Sequence, residues 1–229
     1  MSASRGRQLR ALVRKDLQLE ARTRETVTAM ALFALVAMVV FQFAVGQRSD
    51  DATGVAGGII WATIALAAVL GVGRTWVPER EQRVLHGVLV APVPRLVMLI
   101  ARVIVLWLFL LAIEVLIVPL GVVFFVHDAS PEGLALVAGL CAVANLAIAV
   151  PGALLASMSV FSRARELVIP VLLLPALVPV VIAAAGGTHA VLGPEVQMAE
   201  FLGYCRFLAV CAAVFCLVAY ATFDHVLDD

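Results

Sequence analysis

Glu114 is the one carboxylate that stands well inside a long apolar stretch of this chain, residues 96–126. It follows Arg102 by 12 residues, which corresponds to about 18 Å along a helix. A charged carboxylate exposed to an apolar medium at that depth costs on the order of a few kcal/mol. We therefore expect Glu114 to be protonated, paired, or turned toward a protein interior. That position suits packing or assembly, the lining of a pathway, or proton coupling.

The cysteines and histidines do not follow a pattern typical of metal or haem ligation. The cysteines lie in apolar stretches, without Cys-x-x-Cys spacing and with no histidine at ligand spacing, so we expect small core residues: Cys141, Cys205, Cys211 and Cys216. The histidines fall in connections and at the chain end, and no two share a helix face: His86, His127, His189 and His225. We predict no metal site and no firmly bound cofactor.

The polar connection from Arg74 to Arg95 has the composition of an amphipathic helix. It opens with Pro78-Glu79-Arg80-Glu81, and apolar residues then recur at helical spacing: Val84, Leu85, Val88 and Leu89. Pro92 and Pro94 close the segment, because proline cannot continue a helix into the next apolar stretch. Such a helix would lie flat on a membrane or dock into a cytosolic partner. The alternative is a solvated loop with incidental periodicity.

Three prolines fall within a single apolar stretch: Pro170, Pro175 and Pro179. Each removes a backbone donor and clashes with the carbonyl four residues earlier, so we expect a bent helix with freed carbonyl groups. A bend can simply shape the helix, but it also suits a gate or a subunit contact. We retain these prolines, together with Glu114, as candidate functional residues.

Six stretches are each apolar enough to cross a bilayer, which takes about 20 residues: 27–45, 55–73, 96–126, 134–157, 167–185 and 201–221. The chain is 63% hydrophobic and only 14% charged, which also indicates a membrane protein. Because lipid offers the backbone no hydrogen bonds, continuous apolar stretches of this length must be helical. We therefore predict an all-α integral membrane protein with one six-helix transmembrane domain, residues 27–221. Gly54 and Gly58 form a Gly-x-x-x-Gly pattern that signals close helix packing.

The positive charges predict the orientation of these six spans. Seven Lys and Arg residues precede the first span, four lie between the second and third, and two lie between the fourth and fifth. The other gaps hold only Arg48. By the positive-inside rule, the N-terminus and the tail 222–229 both face the cytoplasm. Arg102 is expected to snorkel toward the cytoplasmic headgroups. Because the basic residues form short membrane-flanking clusters, we expect no nucleic-acid partner.

Residues 1–26 combine basic and apolar positions. Leu9, Leu12, Val13 and Leu17 recur at helical spacing among arginines, which predicts an amphipathic helix in the cytoplasmic headgroup layer of the bilayer. The alternative is a basic topology signal without fixed structure. The first span is preceded by a long basic segment, and this does not match the pattern of a cleaved signal peptide.

Two blocks of the sequence carry a family resemblance. The first contains Gly58-Ile59-Ile60-Trp61, Gly71 to Arg74, Glu79-Arg80-Glu81, Leu85, Gly87, Leu89, Ala91-Pro92 and Arg95. The second contains Ser162-Arg163-Ala164-Arg165-Glu166, followed by Pro170, Pro175 and Pro179. Together they resemble the CcmB family, the haem-exporter-type permease of cytochrome c maturation, from about residue 8 to the sixth span. The portion from Glu79 to Pro92 alone is similar to the wider class of ABC-2 type permeases.

The resemblance implies the permease half of an ABC-type complex in a bacterial inner membrane, with haem as a transported or handled ligand. Its implied partners are a CcmA-like ATP-binding subunit and haem-handling membrane proteins of the CcmC and CcmD type. The chain has no Gly-x-x-x-x-Gly-Lys-Ser/Thr loop, so we expect no enzyme activity of its own. The resemblance assigns ATPase docking to six residues: Glu79, Arg80, Glu81, Leu85, Leu89 and Pro92.

Two other functions fit the same sequence features. One is an ABC-2 type permease that exports a drug, lipid or glycan. The other is a membrane scaffold that holds a cytochrome assembly complex together without transporting anything. Whether haem itself passes through the protein is not determined by these residues.

Overall fold

The structure, a computed structural model, describes residues 5–45, 52–75, 93–126, 130–158, 165–193 and 195–226. These ranges form helices joined by short connections. We number the helices in chain order: α1 (Arg5–Thr23), α2 (Glu25–Val45), α3 (Ala52–Arg74), α4 (Arg95–Phe125), α5 (Pro131–Met158), α6 (Arg165–Leu192) and α7 (Met198–Val226).

Helices α2 to α7 are long and apolar enough to cross a membrane. They contain between 21 and 31 residues, in keeping with the thickness of a bilayer. Large apolar side chains point outward from the bundle, among them Val115, Leu217 and Phe43, which are 78%, 70% and 69% exposed. Outward apolar surface of this kind is typical of a lipid-facing helix. The prediction of an all-α protein with six membrane spans is confirmed.

Three of the six spans form the centre of the bundle, and one of them, α4, contacts α2, α3, α5 and α7. Helix α3 contacts α2, α4, α5 and α6, and α5 contacts α4, α6 and α7. The indole nitrogen of Trp61 donates a hydrogen bond of 2.8 Å to the Thr188 hydroxyl, which joins α3 to α6 inside the core. Helices α2 and α7 lie at the periphery, where few of their residues are buried by the rest of the chain.

Close contact between α3 and α6 depends on Gly57. A Cβ atom at this position would lie 2.6 Å from the backbone oxygen of Ala185. The neighbouring Gly58 has nothing within 4 Å of such an atom. The residue that allows the close approach is therefore outside the predicted Gly54 and Gly58 pattern, one position before its second glycine.

Helix α6 is longer than the fifth apolar stretch. It continues to Leu192, and Gly186 and Gly187 within it lie close to Tyr204 and Leu140. The prediction that His189 lies in an outer loop is therefore wrong, since this residue is in the last turn of α6. The helix also continues through Pro170, Pro175 and Pro179. Pro175 and Pro179 are exposed on its outer side, and Pro170 is half-buried.

Candidate functional site

The predicted docking segment lies outside the residues that the structure describes, and so do all six of its candidate residues: Glu79, Arg80, Glu81, Leu85, Leu89 and Pro92. Its two flanks are described. Helix α3 ends at Arg74 and α4 begins at Arg95, directly after Pro94, whose φ of −56° and ψ of 134° are not helical. The Val97 amide donates to the Pro94 carbonyl at 2.9 Å. The segment 76–92 therefore joins helix ends that lie on one side of the bundle.

A buried ion pair lies on that same side of the bundle. The Nη1 atom of Arg102, in the second turn of α4, donates to Oδ2 of Asp16 in α1 at 2.8 Å. Each of the two side chains is only 9% exposed. The expectation that Arg102 snorkels toward the headgroups is therefore wrong. Its charge is matched inside the protein by a carboxylate, which removes the reason to reach toward water.

The same arginine nitrogen has a second partner. Nη1 of Arg102 donates to the backbone oxygen of Thr75 at 3.2 Å, and Thr75 follows the last residue of α3. The other carboxylate oxygen of Asp16, Oδ1, lies 3.0 Å from Nζ of Lys15. Arg102 thus joins α1, α4 and the end of α3 in one polar cluster, which we call the Arg102 cluster.

Helix α1 meets α2 at a tight elbow. Arg24 is the one residue between the two helices, and it adopts a left-handed conformation with a φ of 55°. Oε1 of Glu20 accepts a hydrogen bond of 2.7 Å from the Val27 amide, in the first turn of α2. This carboxylate satisfies one of the free amides at the helix N-terminus, where negative charge is also favoured. The predicted N-terminal helix therefore exists and packs on α2 and α4.

A cavity of about 160 Å³ lies beside the Arg102 cluster. It is lined by charged side chains together with polar and apolar residues: Asp16, Leu19, Glu20, Thr23, Glu25, Thr26, Gly71, Arg74, Thr75, Arg102, Val105, Leu106 and Phe109. These residues come from α1, α2, α4 and the end of α3. The helices that meet at the Arg102 cluster thus surround a space large enough for several water molecules.

Glu114 lies inside the bundle, between α4 and α5. Its residue is 4% exposed, and Oε2 accepts a hydrogen bond of 2.7 Å from Nδ2 of Asn145. Cys141, one helical turn before Asn145 on α5, is also buried. Oε1 of Glu114 and Oδ1 of Asn145 have no partner among the described residues. This pair joins two spans through hydrogen bonds rather than through opposite charges.

The other polar candidates stay apart from one another. All four cysteines are free: Cys141 is buried, Cys205 and Cys211 are half-buried, and Cys216 is exposed. His189 is exposed, while His86 and His127 lie outside the described ranges. Within those ranges, no three His, Cys, Asp or Glu residues are placed to hold a metal ion.

Sequence reasoning missed two residues of these clusters. Asp16 is an acidic residue one turn after Leu12 and Val13, on the face of α1 that was expected to be apolar. Asn145 is the only asparagine of the chain and stands in the middle of an apolar span. A polar residue on an apolar face is a signal for a buried partner, but the identity of that partner is not encoded locally.

Comparison with known proteins places these features in a family. The family described as "CcmB protein" matches residues 7–227, which include every helix from α1 to α7 except the first two residues of α1. "Heme exporter protein B" of Rhodobacter capsulatus is 28% identical over 177 residues, which are 77% of this chain and 80% of that protein. The family match covers nearly the whole chain, including the Arg102 cluster and the Glu114–Asn145 pair. The chain belongs to the CcmB family.

Proposed function

We propose that this protein is the membrane-spanning permease subunit of an ATP-driven complex for cytochrome c biogenesis, which exports haem or drives the release of a haem chaperone. The observation that carries this proposal is the family match over residues 7–227 of a six-span protein. The similar protein of Rhodobacter capsulatus, whose name describes a haem exporter, supports haem as the ligand of the complex. The proposed location is the bacterial inner membrane.

ATP hydrolysis would be supplied by a separate subunit. The sequence has no phosphate-binding loop of the Gly-x-x-x-x-Gly-Lys-Ser/Thr type, whose lysine contacts the nucleotide phosphates. The only lysine of the chain is Lys15, and its ammonium group lies 3.0 Å from the Asp16 carboxylate. The proposed partner is a CcmA-like ATP-binding subunit, and CcmC- and CcmD-like proteins would handle haem beside it.

The ATP-binding subunit would dock on the segment 76–92. Its apolar residues Leu85 and Leu89 are spaced one helical turn apart, so an amphipathic helix would present both to a partner. Glu79, Arg80 and Glu81 would form the polar edge of that surface, and Pro92 would mark its end. The segment starts next to Thr75, a member of the Arg102 cluster, so a force applied to it would reach the bundle there.

The double variant L85D/L89D tests this docking surface. We expect the tagged variant to insert into the membrane but to lose the ATP-binding subunit on co-purification. Each change removes an apolar side chain whose burial is worth roughly 1.5 to 3 kcal/mol and also places a carboxylate in the contact. The measurement is the amount of ATP-binding subunit recovered per membrane-inserted chain.

A matched control is H86D/G87D, which adds the same two carboxylates to the same segment at positions away from the predicted apolar face. This control should retain the ATP-binding subunit. Equal loss in both variants would point to an effect of charge on the segment rather than to a docking surface. Full retention in L85D/L89D would place the docking surface elsewhere, with 162–166 as the next candidate.

Gene deletion and an ATPase-dead partner subunit distinguish the proposed function from its alternatives. Deletion of the gene should abolish maturation of c-type cytochromes if the proposed function is right. Normal cytochromes together with a co-purifying ATP-binding subunit would instead indicate export of a drug, lipid or glycan. A third outcome would indicate a scaffold: c-type cytochromes mature when the partner subunit cannot hydrolyse ATP, but they fail to mature when this gene is deleted.

A further inference from the structure

Arg102 connects parts of the chain that are far apart in sequence. Its Nη1 atom donates to Oδ2 of Asp16 at 2.8 Å and to the backbone oxygen of Thr75 at 3.2 Å. Asp16 belongs to α1, and Thr75 directly precedes the segment 76–92. A single guanidinium group thus links the N-terminal helix to the beginning of the proposed ATPase-docking segment.

Burial makes this connection stiff. A surface ion pair contributes little, because water replaces either partner readily. The side chains of Asp16 and Arg102 are each 9% exposed, whereas that of Lys15 is 46% exposed. Separating a buried pair is costly, because each desolvated charge loses a close partner. A displacement at Thr75 that moves Arg102 therefore tends to carry Asp16 and α1 with it.

The surroundings leave space for such a displacement. Close-packed interiors resist movement because every shift meets neighbouring atoms. Here the Arg102 cluster borders the cavity of about 160 Å³, which Glu20 and Arg74 also line. This space leaves the helix ends at this side of the bundle more room to shift than a close-packed interior would.

The far end of α1 is coupled to the first span. One residue that is not helical, Arg24, separates α1 from α2, and the hydrogen bond from the Val27 amide to Glu20 closes the elbow at 2.7 Å. A short, hydrogen-bonded elbow transmits movement better than a long linker, whose flexibility absorbs it. Displacement of α1 therefore reaches α2.

We propose that Arg102 is a positioning residue through which movement of the segment 76–92 reaches α1 and, across the Arg24 elbow, the first membrane span. The proposal rests on the proposed function, because it requires an ATP-binding subunit that moves this segment. Asp16 is the partner that makes Arg102 effective. Lys15 contacts the same carboxylate from the more exposed side, at 3.0 Å.

The test compares D16N/R102Q with the wild-type complex and with K15Q. The double variant removes both buried charges together, so it leaves neither of them unpaired and should fold. The complex is reconstituted with its ATP-binding subunit in liposomes. Three quantities are measured: the subunit recovered per chain, the rate of ATP hydrolysis, and the haem or haem chaperone released per ATP hydrolysed.

We expect D16N/R102Q to retain its ATP-binding subunit and its hydrolysis rate within about twofold, while release per ATP falls about tenfold or more. K15Q, which removes an exposed cation, should keep all three quantities within about twofold of the wild type. A residue that only stabilised the fold would lower the recovery of the complex and leave release per ATP unchanged. An unchanged ratio in D16N/R102Q would therefore overturn the proposal.

R102K provides a second test that keeps the buried positive charge. The lysine ammonium group is a compact point charge on a different stem and does not reproduce the guanidinium geometry. We expect its release per ATP to fall about threefold or more while the complex stays assembled. A wild-type ratio here would also overturn the proposal. If no ATP-binding subunit co-purifies with the wild-type protein, the proposed function itself is refuted. This result is obtained before any variant is compared.

Discussion

At the scale of single residues, the interior of this membrane protein holds polar groups in pairs. Glu114 and Asn145 are buried, 31 positions apart in the sequence, and joined at 2.7 Å. No cationic side chain is hydrogen-bonded or ion-paired to Glu114 among the described residues, and Asn145 supplies a hydrogen bond without charge. We therefore interpret Glu114 as a hydrogen-bonding element between α4 and α5, and its placement does not by itself indicate a pathway lining or proton coupling.

Substitutions of Glu114 test that interpretation. We expect E114Q to be tolerated, because the glutamine carbonyl can still accept the Asn145 amide hydrogen bond. E114K should prevent insertion or assembly, because it places a long cation in a packed interior at a cost of several kcal/mol. The measurement is the amount of inserted protein together with the level of c-type cytochromes. V115K measures the cost of a lysine at this depth on the outward face, since Val115 is 78% exposed, and the loss in E114K beyond that in V115K is the part due to the packed interior.

A double-mutant cycle on the same pair gives a quantitative check. N145L leaves the Glu114 carboxyl without its amide donor and should lower stability by about 1 to 3 kcal/mol. E114L should have a similar cost, since it leaves Asn145 unpaired. The double variant E114L/N145L should be less destabilised than the sum of the two single variants, because no buried polar group is left without a partner. Melting temperatures in detergent measure the difference, and simple additivity would show that the two residues do not act as a pair.

At the scale of helices, the contact between α3 and α6 sets how closely the bundle packs. Gly57 allows the backbone of α6 to approach at Ala185, and Trp61, one turn later on α3, is held by the Thr188 hydroxyl. Both contacts lie in the half of α6 that follows its three prolines. The exposed positions of Pro175 and Pro179 face away from this contact. If these prolines have a functional role, it is in the shape of α6 or in an outward contact.

G57A and G58A form a matched pair of variants on one helix. The Cβ atom in G57A would lie 2.6 Å from the Ala185 oxygen, a backbone atom, so α3 and α6 must separate. Overpacking of this kind typically costs about 1 to 3 kcal/mol. G58A meets nothing within 4 Å and should stabilise α3 slightly, by up to about 1 kcal/mol of helix propensity. Melting temperatures should therefore change in opposite directions, and a shift of the same sign in both variants would contradict this account.

At the scale of the whole molecule, the described contacts fit the topology that the charges predict. Contact between Asp16 and Arg102 places α1 and the beginning of α4 at one end of the bundle. The opposite end holds the beginning of α5 and the end of α6, which meet at Gly133 and Val191. With six spans, both termini then lie on the side of the Arg102 cluster. The positive-inside rule assigns that side to the cytoplasm.

Reporter fusions test this orientation. We expect a reporter joined at Gly133 to be active outside the cytoplasm and one joined at Asp229 to be active inside, because basic residues are concentrated in the gaps on the side of the termini and resist translocation. A fusion at Gln18 should agree with the one at Asp229. A cytoplasmic signal at Gly133 or an external signal at Asp229 would contradict the topology.

The Glu114–Asn145 pair could be predicted in part from the sequence, whereas the Arg102 cluster could not. Glu114 could be singled out because a lone carboxylate in an apolar span has to be accommodated, and the structure places it in the interior beside Asn145. The N-terminal helix could also be predicted from Leu9, Leu12, Val13 and Leu17. The Arg102 cluster could not, because an arginine near the end of a span is expected to snorkel toward the headgroups when no partner is evident nearby in the sequence. Snorkelling needs only nearby headgroups, while pairing needs a carboxylate 86 positions away.

The sequence by itself determined the class of this protein, its six helical spans and its family resemblance, because the bilayer imposes length and hydropathy on each span separately. Only the tertiary structure decided which polar groups meet. It also decided that α6 extends to Leu192 and that Gly57 rather than Gly58 allows close packing. These outcomes depend on how helices rotate and approach one another. That choice is made by side chains distant in sequence, so no local pattern contains it.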